Sequence, residues 1–81
     1  MTTFNAFYKV AAINEGNVAA EIETTSLTTA KEIFKEYEAK YREYQNFLRN
    51  VNDYVAPYYI EFWVINNDNR DDSLRVKQTK I

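Results

Sequence analysis

Apolar and polar positions alternate along the first 25 residues, and the period then lengthens to that of a helix before alternation returns. From Phe4 to Ile13 the period is two, Asn14-Glu15-Gly16-Asn17 interrupts it with turn residues, and Val18 to Thr25 resumes it. This is the pattern of a β-hairpin. From Leu27 the apolar positions become Ala30, Phe34, Tyr37, Tyr41, Tyr44, Leu48 and Val51, spaced 4, 3, 4, 3, 4 and 3, with Ile33 and Phe47 widening the stripe. Such spacing predicts one long amphipathic helix. Ser26 suits its N-cap, Thr29 with Glu32 has capping-box spacing, and the helix is expected to end near Asn50. Glu36 with Lys40 and Glu38 with Arg42 add i,i+4 pairs worth about 0.3 kcal/mol each. After a polar break at Asn50, Asn52 and Asp53, Pro57 opens a third strand reaching about Asn66, because proline is tolerated at the first residue of a strand but not inside it. The polar loop Asn66 to Asp72 then leads to a fourth strand, Ser73 to Thr79.

The fold class that follows is α+β, a single domain over residues 1–81 in the order ββαββ, with a four-stranded antiparallel sheet and one long helix on one face. Two strand orders satisfy the pattern. Pairing strand one with strand three gives the all-antiparallel order 2-1-3-4, whereas pairing two with three in parallel requires a right-handed crossover.

Each strand has one alternate row marked by charge and one without, which assigns the faces. The unmarked rows, expected against the helix, are Phe4, Ala6, Tyr8, Val10 and Ala12; Val18, Ala20 and Ile22; Tyr58, Ile60, Phe62 and Val64; and Leu74 with Val76. The marked rows, expected to face away, are Phe7, Lys9, Ala11 and Ile13; Ala19, Glu21 and Glu23; Tyr59, Glu61, Trp63 and Ile65; and Arg75, Lys77, Thr79 and Ile81. That outer face would display Phe7, Ile13, Tyr59, Trp63 and Ile65 together. A large exposed apolar patch marks a partner, and Tyr, Trp and Arg dominate binding hot spots. The alternative is that cross-strand aromatic pairs serve only to stabilise the sheet. Partner binding is therefore expected at Phe7, Tyr59, Trp63, Ile65, Arg75 and Lys77. A helix of about 24 residues spans ~36 Å against ~26 Å for an eight-residue strand. Its end should overhang, making Tyr44 and Phe47 a second surface unless Tyr54 and Val55 cover it.

Composition narrows the chemistry. The 81 residues include no histidine, no cysteine and one glycine, Gly16, but seven tyrosines, five phenylalanines and one tryptophan. Proton transfer near neutral pH, soft-metal ligation and phosphate cradles each draw on residues that are scarce or missing here. No enzyme, cofactor or metal site is expected. The loop acids Asp68, Asp71 and Asp72 lack the spacing of a calcium loop. Glu21, Glu23 and Glu61 should be solvated on a flat face, without the pocket a carboxylate pair needs for general acid–base work. Neither serine has a base to activate it.

Net charge is −2, divided into −5 over residues 1–72 and +3 over residues 73–81, where Arg75, Lys77 and Lys80 stand without an acid. Basic edge strands commonly discourage sheet-to-sheet aggregation. Aromatics beside Lys9, Arg75 and Lys77 also suggest a platform for single-stranded nucleic acid, but three glutamates share the face and the net charge opposes it. The N-terminus lacks a basic region followed by an apolar run, and no apolar stretch approaches the ~20 residues of a membrane span, so a cytoplasmic protein without membrane contact is expected.

The plan of a tight hairpin, a helix opening with Thr25-Ser26-Leu27-Thr28-Thr29-Ala30-Lys31-Glu32-Ile33-Phe34, and a closing hairpin in a short acidic chain resembles small phage-encoded proteins, including anti-CRISPR proteins and inhibitors of host enzymes. The resemblance covers the overall plan and assigns no residue. It implies stoichiometric binding to a protein partner in the host cytoplasm. The expected function is thus a small protein-interaction module acting as an inhibitor, with single-stranded nucleic acid or nucleotide binding and a homodimeric structural role as alternatives.

Overall fold

Two residues set the first hairpin. Glu15 and Gly16 both take positive φ, 51° and 79°, the signature of a two-residue type I′ turn whose twist matches that of the strands it joins. The computed structural model describes residues 5–81, so Phe4 lies outside the described residues. Within them β1 (Ala6–Asn14) and β2 (Asn17–Thr24) flank the turn, α1 (Leu27–Val51) follows, and β3 (Tyr58–Asn66) and β4 (Leu74–Lys80) close the chain, with a 3₁₀ turn at Arg70–Asp72 between them. The helix begins where its cap directs. Ser26 Oγ accepts the Thr29 N–H at 3.2 Å, and Thr24 Oγ1 accepts the Ser26 N–H at 3.1 Å. With Ser26 as the cap, Thr29 is the third residue of the helix and Glu32 the sixth, so the expected capping-box spacing of Thr29 with Glu32 does not fall at the helix start.

The sheet has the order β2-β1-β3-β4 with every pair antiparallel, which selects the first of the two arrangements open to the sequence. α1 lies over β1 and β3 and reaches β2. Val10, Ala12, Ile60 and Phe62 from the sheet meet Ala30, Phe34 and Tyr41 from the helix, and these seven form the core. Tyr41 stacks on Tyr58 with ring centroids 4.7 Å apart, while Tyr37 and Tyr44 approach this pair edge-on. The helix does not have the apolar length needed to cross a membrane.

One helical position departs from the apolar stripe. Gln45 is fully buried, and its Nε2 donates to the Ala56 carbonyl at 2.8 Å. Asn14 Nδ2, at the end of β1, donates to the carbonyls of Ala56 and Pro57 at 3.3 and 3.2 Å. Hairpin, helix and the approach to β3 are thereby fastened at one point. Gln45 Oε1 has no partner among the described residues. A buried amide of this kind costs stability unless bonded, so the gain lies in fixing the return of the chain after the helix.

Two β-bulges alter the faces. Ala12 pairs with Ala20 but Ile13 with Val18, leaving Ala19 extra, and Phe62 pairs with Lys77 but Trp63 with Arg75, leaving Val76 extra. Each inserted residue reverses the parity of the strand beyond it. Val18 therefore joins Ile13 on the outer face, contrary to expectation. Lys77, Thr79 and Ile81, expected outside, turn to the helix side; Lys77 Nζ stands 5.0 Å from the Phe34 ring centroid, and Ile81 packs against the core.

Two measurements test these local arguments. Glutamate is poorly suited to positive φ and asparagine tolerates it, so Glu15→Asn should stabilise the protein by about 0.5 kcal/mol in urea unfolding. Burial, and secondarily Tyr44 and Tyr41, raise the hydroxyl pKa of Tyr58 above the usual value, and burial with Tyr41 and Glu21 does the same for Tyr37. The folded state thus favours neutral Tyr58, and this contribution is complete below the unfolded value of about 10 and is lost as pH rises through the folded value. Tyr58→Phe should reduce the stability lost between about pH 9 and about pH 11.

Candidate functional site

Cross-strand pairing arranges the outer face as four rungs. They are Phe7–Ile65; Glu23–Lys9–Trp63–Arg75; Glu21–Ala11–Glu61–Gln78; and Val18–Ile13–Tyr59–Lys80. Apolar groups hold the two ends of the sheet and charged groups hold the middle. The expected continuous patch is therefore divided. Ile65 is buried, with only 6% exposed, and the 3₁₀ turn packs beside β3 with the Arg70 guanidinium 5.1 Å from the Phe7 ring centroid. Phe7, Ile13, Tyr59 and Trp63 are half-buried. Of the six expected partner-binding residues, Tyr59, Trp63 and Arg75 present themselves on this face and Phe7 does so beneath Arg70. Ile65 is withdrawn by burial, and Lys77 is turned to the opposite face by the bulge at Val76.

Glu61 organises what remains. Its Oε1 accepts the Trp63 indole Nε1–H at 3.1 Å, and its Oε2 accepts from Arg75 at 3.2 Å and from Gln78 Nε2 at 2.8 Å. Only 14% of the Glu61 side chain is exposed, against 47% for Arg75. The solvated carboxylate expected from sequence is instead a nearly covered acceptor with three donors. Lys9 Nζ lies 5.4 Å from the Trp63 ring centroid, within cation–π range. The indole is thus held at its edge by a carboxylate and over its ring by an ammonium. Sequence reasoning took Trp63 and Arg75 but missed Glu61, Gln78 and Lys9 as their supports. A signal existed, since Glu61 and Trp63 are two apart on one strand and therefore share a face.

The helix end is the more open surface. Tyr44, Phe47, Val51 and Tyr54 are 45%, 61%, 69% and 73% exposed. The returning segment covers Leu48 in part, since Leu48, Tyr54 and Val55 line one shallow groove with Asn14, Tyr44 and Tyr58. It leaves Phe47 and Val51 bare. Tyr44 and Phe47 are exposed there as expected, and Tyr54 is itself exposed rather than covering them.

Glu61 is engaged by three donors, and among the described residues no three carboxylates gather as a metal site. Asp68, Asp71 and Asp72 lie in a loop shaped by asparagine side chains: Asn66 Oδ1 accepts the N–H groups of Asp68 and Asn69, and Asn69 Oδ1 accepts that of Asp71.

Removing the shared acceptor should release the indole. Glu61→Ala is expected to shift tryptophan emission to longer wavelength, increase acrylamide quenching and cost about 1 kcal/mol of stability. Unchanged emission and quenching would show that packing alone positions Trp63.

No family model matches the chain, and neither the curated proteins nor the solved structures give a match.

Proposed function

We propose that the protein is a small non-enzymatic interaction module that binds another protein and acts by covering part of its surface. The observation that carries this reading is the aromatic end of α1. Four large side chains, Tyr44, Phe47, Val51 and Tyr54, stand largely in solvent there, although the same chain covers its own core closely. Exposed apolar surface of this kind is stabilised when a partner removes it from water, by about 25 cal/mol per Å². The outer sheet face supplies a second contact. Trp63, already fixed by Glu61 and Lys9, loses little rotamer freedom on binding, which favours affinity. The lack of histidine and cysteine and the engagement of Glu61 support a role without catalysis.

Inhibition by occlusion is the form this activity takes in the phage-encoded proteins that the chain resembles in plan. Such a role is exercised in the cytoplasm, that of the host if the chain is phage-encoded. The charge on the outer face favours protein over single-stranded nucleic acid. Arg75 is paired with Glu61, Lys77 lies on the helix side, and Glu21 and Glu23 face outward beside Lys9 and Lys80.

The test is an affinity pull-down from bacterial lysate read by mass spectrometry, using wild type, Phe47→Glu and Trp63→Glu. Both variants should keep the wild-type far-ultraviolet circular dichroism. A stoichiometric protein retained by wild type and lost with Phe47→Glu is the expected result, with Trp63→Glu weakening retention by about tenfold or more. A protein lost only with Trp63→Glu would transfer the main contact to the sheet. Retention of nucleic acid alone would support the stacking platform, and light scattering at twice the monomer mass would support self-association; either would overturn the proposal.

A further inference from the structure

The helix leaves one side of its own sheet face open. α1 covers β1 and β3 and reaches β2, but Leu74 and Val76 of β4 remain 64% and 54% exposed. Between the first half of α1 and the β3–β4 pair lies a groove of about 570 Å³. Tyr8, Phe34, Phe62 and Val64 line it, with Leu27 and Val76 among its walls. This volume lies in the range of sites that hold a single small molecule, roughly 300–1,000 Å³.

The lining is apolar and the remaining residues are mostly cationic. Lys31 and Lys35, one turn apart on α1, and Lys77 line the groove with Glu38 as the one acid, so three cations less one anion leave +2 in a chain whose total is −2. Among the described residues the only ion pair is Arg75–Glu61, on the opposite face, so none of the three ammonium groups is held within 4.0 Å of a carboxylate. Lys77 is there because of the bulge at Val76. An unbroken strand would point it to the outer face, whereas the inserted residue places it opposite Phe62 with Nζ 5.0 Å from the Phe34 ring centroid.

An apolar slot with a cationic margin has a defined complement. We propose that this groove binds a single-chain amphiphile with an anionic head, specifically a long-chain carboxylate. Its alkyl tail lies along the exposed Leu27 and Val76 and the half-buried Tyr8 and Val64, over a floor of the core residues Phe34 and Phe62, and its carboxylate, ionised at neutral pH, sits among Lys31, Lys35 and Lys77. This site is separate from the helix end and from Trp63, so it stands or falls independently of the protein-binding role.

Calorimetric titration with dodecanoate, with dodecyltrimethylammonium as a control of equal chain length and opposite charge, tests the assignment. Dodecanoate should saturate one site per chain, and the control should bind at least about tenfold more weakly. Reversing two cations in Lys31→Glu/Lys77→Glu should weaken dodecanoate by about tenfold or more. The milder Lys31→Gln/Lys77→Gln variant, checked by circular dichroism, should weaken it in the same direction, and added salt should weaken the wild type. Phe47→Glu and Trp63→Glu should leave the affinity unchanged. Equal binding of the two amphiphiles would overturn the proposal, as would no saturation below about 1 mM. So would a dimer in light scattering that Val76→Glu dissociates, because a second copy would then fill the groove.

Discussion

A single helix must cover a sheet wider than itself. An α-helix with its side chains is about 10–12 Å across, whereas four strands about 4.8 Å apart present nearly twice that width. Placed over the central strands β1 and β3, the helix buries Val10, Ala12, Ile60 and Phe62 and leaves the edges to other means. Its length creates the same mismatch in the other direction, and the molecule extends 55 Å along its longest axis. The open groove beside β4, the bare aromatic end of α1 and the uncovered outer face are three consequences of this one geometric constraint. Each is a surface that the chain cannot bury with its own elements.

How those surfaces are managed differs with their chemistry. On the outer face the solution is electrostatic. Glu61 gathers Trp63, Arg75 and Gln78 around one carboxylate, and Lys9 closes over the indole ring, so a residue of large apolar area is given a polar border. At the far end of the sheet the loop before β4 contributes, with Arg70 over Phe7. The helix end has neither device. Beyond Gln45 the ends of β1 and β3, at Asn14 and Tyr58, and the returning segment around Val55 meet Leu48, while Phe47 and Val51 stay exposed.

The elements were legible in the sequence because they rest on period alone. Alternation, the turn at Gly16, the cap at Ser26 and the proline before β3 identify the strands and helix to within a residue or two at their ends. The strand order was not legible, since hydrophobic rows serve a parallel or an antiparallel neighbour equally. The faces were legible only until each bulge. Beyond Ala19 and Val76 the parity reverses, and strict alternation misplaces Val18, Lys77, Thr79 and Ile81. Neither bulge contains a glycine to announce it. The sign available was the apolar parity in the last strand, even at Leu74 and Val76 but odd at Ile81. Gln45 escaped for a different reason, because a polar residue beside an apolar stripe reads as solvent-facing unless its hydrogen-bonding partner is known. The candidate surfaces were half visible: the sequence pointed to the aromatics Trp63, Tyr59, Tyr44 and Phe47, but not to Glu61 and Lys9 as the polar groups that hold Trp63, because those supports depend on tertiary register.

The two bulges lie in the two edge strands, and this bears on assembly. β2 presents Glu21 and Glu23, and β4 presents Arg75, Lys77 and Lys80, so the two edges of one molecule carry opposite charge. β2 and β4 also run antiparallel to each other. A copy displaced sideways could therefore continue the sheet without rotation, and the head-to-tail contact would repeat indefinitely as an open filament. Charge draws the edges together, but ladder pairing demands a regular row of N–H and C=O groups on both. The residues inserted at Ala19 and Val76 break that row on each side. The irregularities that redirect Val18 and Lys77 thus also interrupt, on both edges, the regular row of groups that sheet-to-sheet pairing requires.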